Sequence, residues 1–97
     1  MSNLERLGSS LSIHSFSSLH SNISSCYLKL DEDEKAMEEA DKCIALKPEW
    51  AKGFFRKGMV YFQQEKYIAA AEAFYRGCEL DPTDVRLAEM VCCVDKR

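Results

Sequence analysis

Residues 51–84, AKGFFRKGMVYFQQEKYIAAAEAFYRGCELDPTD, carry two apolar stripes separated by a short polar stretch. Phe54, Phe55, Gly58, Tyr61 and Phe62 form one set at helical spacing, Ile68, Ala71, Phe74, Tyr75 and Cys78 form the other, and Gln64–Lys66 divides them. A helix turns once in about 3.6 residues, so each set lies along one face, which predicts two amphipathic helices joined by a tight turn.

The same pattern stands immediately upstream, in SSLHSNISSCYLKLDEDEKAMEEADKCIALKPEW at 17–50. Laid over each other from their first positions, the two stretches bring Tyr27 onto Tyr61, Ala36 onto Ala70, Leu46 onto Leu80 and Pro48 onto Pro82. Here Leu19, Ile23, Tyr27 and Leu30 make the first stripe, and Ala36, Met37, Ala40, Cys43 and Ile44 make the second after a break at Asp31–Asp33. Small residues at Ala36, Ala40, Gly58, Ala70 and Gly77 let paired helices approach, while Tyr27, Phe54, Tyr61 and Phe74 fill the space between them. Pro48 and Pro82 are expected to end one hairpin and to stand in the first turn of the next helix, where a missing N–H costs nothing. Beyond them, Leu87, Met90, Val91 and Val94 predict a capping helix over residues 85–97.

Composition agrees with an all-α chain. Four Gly and two Pro in 97 residues are too few for a fold built on tight β-turns. At this length, with 46% hydrophobic residues and a net charge of −3, there is room for one small domain and none for a second, catalytic one. No stretch approaches the roughly 20 apolar residues of a membrane span, so no membrane partner is expected. Thirteen Lys and Arg against sixteen Asp and Glu provide no bulk attraction for nucleic acid. Residues 1–16 open a stretch with ten Ser among its first 25 positions and read as weakly ordered. One Arg there is too few for a transit peptide, and serines interrupt any signal-peptide core. Cys26, Cys43, Cys78, Cys92 and Cys93 show no Cys-x-x-Cys spacing, and His14 and His20 do not share a ligand spacing, so neither a metal nor another cofactor is expected. The cysteines read instead as small apolar residues in a reducing, cytoplasmic compartment. No nucleophile with a base, carboxylate pair or glycine-rich phosphate loop suggests an enzyme. The acidic run at Asp31–Glu34 suits a loop and a helix N-terminus and lacks the pattern of a calcium loop.

A period of about 34 with two helices per unit resembles the tetratricopeptide-repeat (TPR) family. The resemblance covers residues 17–84 as two repeats, 17–50 and 51–84, and its key positions are matched by Tyr27, Ala36, Ala40 and Pro48, then by Phe54, Gly58, Tyr61, Ala70, Phe74 and Pro82. It implies a solenoid of helical hairpins in a right-handed superhelical stack, capped by the last helix. His20, Ser24 and Lys57 depart from the family pattern and are expected to loosen packing locally, with His20 a satisfied or half-exposed helix residue rather than a ligand.

In such a solenoid the first helices of successive repeats line the inner face. This sets Ser18, Asn22, Ser25 and Lys29 beside Lys52, Arg56, Met59 and Gln63. Asn22, Lys52 and Arg56 resemble part of the carboxylate clamp of TPR co-chaperones, which holds the terminal Glu-Glu-Val-Asp of the cytosolic heat-shock protein 90 and 70 classes. The resemblance implies that Asn22 contacts the terminal carboxylate, Lys52 and Arg56 the terminal and preceding acidic groups, with Ser25, Lys29 and Met59 flanking them. An Arg fork, an ammonium and an amide are suitable donors for carboxylates. The family motif draws two further donors from a preceding repeat, which residues 1–16 are too short to form, so the chain reads as a piece or shortened form of a three-repeat domain. A scaffold that self-associates through the uncovered first helix, with Phe16, Leu19 and Ile23, is the alternative expectation.

Overall fold

The structure is a computed structural model and describes the backbone of residues 2–95 and the side chains of residues 16–94. The described residues form five helices and no strand: α1 Ser2–Lys29, α2 Asp33–Leu46, α3 Ala51–Gln63, α4 Tyr67–Leu80 and α5 Val85–Asp95. Helix α1 packs on α2 and α3 on α4, giving two hairpins; α3 also touches α1 and α2, and α5 covers α4. The weakly ordered segment expected over residues 1–16 lies, Phe16 apart, outside the residues whose side chains are described.

Within each hairpin the turn is built twice in the same way. Asp31 and Glu65, at equivalent positions of the two repeats, both take the left-handed conformation at φ 62°. Around them the N–H of Glu32 bonds to the Tyr27 carbonyl and that of Lys66 to Tyr61, both at 2.9 Å, while Asp31 and Glu65 donate to Leu28 and Phe62. These are the paired bonds of a Schellman helix end, which satisfy carbonyls that the last turn leaves free.

The connections between hairpins repeat as well, and they correct the expectation for the prolines. Trp50 donates to the Lys47 carbonyl and Asp84 to Asp81, closing four-residue turns in which Pro48 and Pro82 are the second residue. The helices then begin at Ala51 and Val85, three residues beyond each proline. The fixed φ of proline serves the second position of such a turn as well as it serves a first helical turn. In the second turn, Asp81 Oδ1 also accepts from the Thr83 N–H and hydroxyl.

Two seams carry the packing. Ala51, Phe55, Ala70, Phe74, Leu87 and Val94 form the main core, and Leu28, Ala36 and Val60 form a second, with Met59 against both. Inside the second hairpin, a Cβ at Gly58 would lie 2.5 Å from the Phe74 ring, so only glycine admits this ring. At the equivalent sites of the first hairpin stand Ser24 and Ala40, both fully buried. The smaller Ala40 leaves space for a side chain at position 24, and the Ser24 hydroxyl donates to the Ala36 carbonyl at 2.8 Å. Ser24 is thus accommodated rather than loosening the hairpin. His20 and Lys57 are partnered too: His20 Nδ1 lies 2.5 Å from Glu39 Oε1, and Lys57 reaches Asp41 across α2 and α3 at 3.3 Å.

Between units the sizes are exchanged in a second way. Gly53 of α3 approaches Cys43 and Ile44 of α2, and one repeat later Leu87 of α5 fills the seat left by Gly77 of α4. One side of each contact is small and the other large, so volume at the seam is conserved while the residues differ.

Candidate peptide-binding face

Helices α1 and α3 are neighbours, so their outward-turned residues share a surface. Arg56 bridges them: its Nε donates to the Ser21 Oγ at 2.9 Å. Ser21 is buried and has Asn22 as its chain neighbour, exposed on α1. The bond uses Nε and leaves the terminal guanidinium nitrogens available to a ligand. The Arg56 guanidinium also lies 5.5 Å from the Phe55 ring centroid, within the range of cation–π attraction. Burial, and then the like charge of Arg86, push Arg56 below its ordinary pKa, although a guanidinium stays charged in any accessible pH range.

Lys52 is half-buried, with its ammonium 5.9 Å from the Trp50 ring. Among the described residues neither Lys52 nor Arg56 forms an ion pair, whereas Lys35, Lys42, Lys57 and Arg76 each meet a carboxylate. The contrast matters because unpaired cations on a half-buried surface keep their full attraction for an incoming anion.

The remaining expected residues are placed less closely. Ser25 is half-buried and Lys29 exposed on α1, and neither bonds to Lys52 or Arg56. Met59 is half-buried between the two cores, so it supplies apolar surface and no polar contact.

Three participants escaped the reading of the inner face. Ser21 and Phe55, themselves at equivalent repeat positions, hold Arg56 from two sides. Arg86, exposed at the start of α5, places its guanidinium 5.3 Å from the same Phe55 ring. Its signal was available, since Arg86 stands one repeat after Lys52 and so occupies the same position in the capping segment. Among the described residues no three His, Cys, Asp or Glu side chains converge to hold a metal ion. No described helix is long and apolar enough to cross a membrane.

Comparison with known proteins places the fold. Two tetratricopeptide-repeat profiles match, one over residues 17–49 and one over 51–84. The chain is 39% identical over 72 residues to Hsp70-Hsp90 organizing protein 2 of Arabidopsis thaliana, covering 74% of this chain and 13% of that protein. It is 37% identical over 71 residues to the Hsp70-Hsp90 organizing protein of Triticum aestivum, covering 73% and 12%. Tetratricopeptide repeat protein 28 of Homo sapiens is 35% identical over 69 residues, covering 71% and 3%. The chain thus spans a small part of the length of these curated relatives. Among solved structures, the first TPR of Spaghetti (RPAP3) bound to the HSP90 peptide SRMEEVD superposes with a TM-score of 0.75 at 22% identity, covering 82% of this chain and 64% of that one. Repeat period, paired turns, seam packing and profile matches agree: this chain belongs to the tetratricopeptide-repeat family.

Proposed function

We propose that the chain is an adaptor module of co-chaperone type, which binds the acidic carboxyl terminus of a heat-shock protein 90 or 70 class chaperone through Asn22, Lys52 and Arg56. One observation carries this reading: Arg56 is anchored on Ser21 beside Asn22, and no carboxylate of the described residues neutralises Arg56 or Lys52. The names of the plant relatives, and the HSP90 peptide held by the structural neighbour, support the same class of partner. In this reading the Asn22 amide donates to the terminal carboxylate, the Arg56 fork takes the same carboxylate or the Asp side chain, and Lys52 adds a mobile charge. Ser25 and Lys29 extend the polar strip on α1, and Met59 offers an apolar floor. The module is an adaptor without catalytic work, acting in a cytoplasmic setting, to which five free thiols are suited.

Calorimetric titration with acetyl-Met-Glu-Glu-Val-Asp and its C-amidated form tests the proposal. A charge-assisted bond contributes about 1.5–3 kcal/mol, so amidation, and separately Arg56→Ala, should each weaken binding by about tenfold or more. Equal affinity for the acid and the amide would sink the clamp. A second reading, self-association through α1, is favoured by Phe16 and Leu19, which are 51% and 50% exposed. Light scattering showing a monomer at high concentration would remove it.

A further inference from the structure

We infer that Arg86 is a specificity-determining residue of the peptide-binding face, reading an acidic side chain three positions upstream of the bound carboxyl terminus. The inference rests on the proposed clamp and extends it by one repeat.

Three observations carry it. Arg86 occupies in α5 the repeat position that Lys52 occupies in α3, so the capping helix continues the cationic row of the inner face. Arg56 and Arg86 both approach one ring, with guanidinium carbons 5.5 and 5.3 Å from the Phe55 centroid. Phe55 is buried and packs against Phe74 at a centroid distance of 6.1 Å, so the ring is a fixed platform for both. Lastly, Arg86 forms no ion pair among the described residues, although carboxylates stand on the same rim. Asp84 accepts from the backbone N–H groups of Arg86 and Leu87, and Asp81 is taken up by Thr83. Glu49 lines the same depression as Lys52 and Arg86 without pairing with either.

Two like charges held over one ring repel each other, and the pKa of Arg56 is lowered first by burial and then by that repulsion. An arrangement of this kind is relieved by anions and by little else. The two ring distances limit the guanidinium separation to about 11 Å. An extended peptide advances about 3.3 Å per residue, so a side chain three residues before the terminus lies about 10 Å along the chain. With the strand running from Asn22 and Arg56 toward α5, the reach to the first Glu of Glu-Glu-Val-Asp is compatible with that upper limit, and the second Glu points to the other side of the strand from it.

The test is a double-mutant cycle by calorimetry on the 97-residue chain. The probes are acetyl-Met-Glu-Glu-Val-Asp, its C-amidated form, and two peptides with Gln replacing either the first or the second Glu. Arg86→Gln is expected to weaken the parent peptide about fivefold and to leave the first-Gln peptide within a factor of two. Arg86→Lys should recover part of the loss, and the second-Gln peptide should still sense Arg86→Gln. Because Arg86 is exposed, unchanged thermal unfolding of the variants is expected and separates recognition from folding. If Arg86→Gln weakens all four peptides equally, or none, while the acid is still preferred over the amide, the inference falls and the clamp stands. If the wild-type chain does not distinguish acid from amide, both fall.

Discussion

Gly58→Ala should destabilise the chain although alanine is the better helix former. Replacing a mid-helix glycine by alanine ordinarily stabilises by about 0.8–1 kcal/mol. At this site the new Cβ would meet three atoms of the Phe74 ring at 2.5, 2.6 and 2.9 Å. Carbon atoms rest about 3.5–4 Å apart, so the ring must retreat by about 1 Å. Phe74 is fully buried and packs on Phe55, which leaves it nowhere to go without moving the main core. Overpacking of this kind costs about 1–3 kcal/mol, and at these contact distances the upper half of that range applies, for a net loss of about 1–2 kcal/mol. In a domain of this size each kcal/mol moves the midpoint by about 4–8 °C, so thermal unfolding followed by circular dichroism should show a fall of roughly 5–15 °C. Phe74→Leu in the same chain should make Gly58→Ala nearly harmless, since the smaller side chain recreates the relation of Ser24 to Ala40. An unchanged or raised midpoint for Gly58→Ala alone would refute the argument, because it would mean that the ring contact does not set the identity of residue 58.

Other perturbations follow from the same structure. Glu65→Gly removes a left-handed strain of about 1–2 kcal/mol and adds unfolded-chain entropy of somewhat less, so a gain of up to about 1 kcal/mol is expected in urea unfolding. Asp31→Gly should gain less, because Asp tolerates this conformation better; a loss at position 65 would count against the strain. Leu87→Ala empties the seat at Gly77 and should cost about 2–5 kcal/mol, seen as a midpoint lowered by more than about 10 °C. Glu39 gives a pH signature: burial raises its pKa, but bonds from His20 and Lys42 and their charges outweigh it and leave the carboxyl below the ordinary range. A carboxyl lowered on folding stabilises above its unfolded value of about 4.3 and loses that contribution as pH falls through the folded value. Stability should therefore decline on acidification below about pH 4.3, and Glu39→Gln should flatten that part of the curve; identical acid profiles would contradict it.

The hairpins were legible because their information is local and repeated. Tyr27 and Tyr61, or Ala36 and Ala70, mark the same place in two helices, and the repeat period survives many substitutions elsewhere. The prolines were misplaced within their turns by three residues, since a proline before a helix suits two conformations and only the Trp50 to Lys47 and Asp84 to Asp81 bonds distinguish them. Ser24 reads as a departure in sequence because its compatibility depends on Ala40, on the opposite helix of the hairpin, and on the Ala36 carbonyl. The candidate face was legible as residue types at inner positions, but its support was not. Ser21 is an ordinary helix serine until Arg56 arrives from another hairpin. Arg86 was hidden for a different reason: the last segment reads as a cap, and a cap is judged by its apolar stripe rather than by the charge that it adds beside Phe55.

In sealing the seat at Gly77, α5 also covers a surface on which another copy could stack. Leu19 in α1 holds the repeat position that Leu87 holds in α5, and it is half-exposed. Leu19 and Leu87 are therefore equivalent plugs, and the socket at Gly77 is already occupied by the chain's own Leu87. A tethered plug competes at an effective concentration in the millimolar range, which a second molecule does not reach at ordinary dilution. A chain ending at Asp84 would offer its empty socket to the Leu19 of the next copy, a head-to-tail contact that repeats without closing. Removal of residues 85–97 should therefore turn a discrete particle into one whose sedimentation grows with concentration.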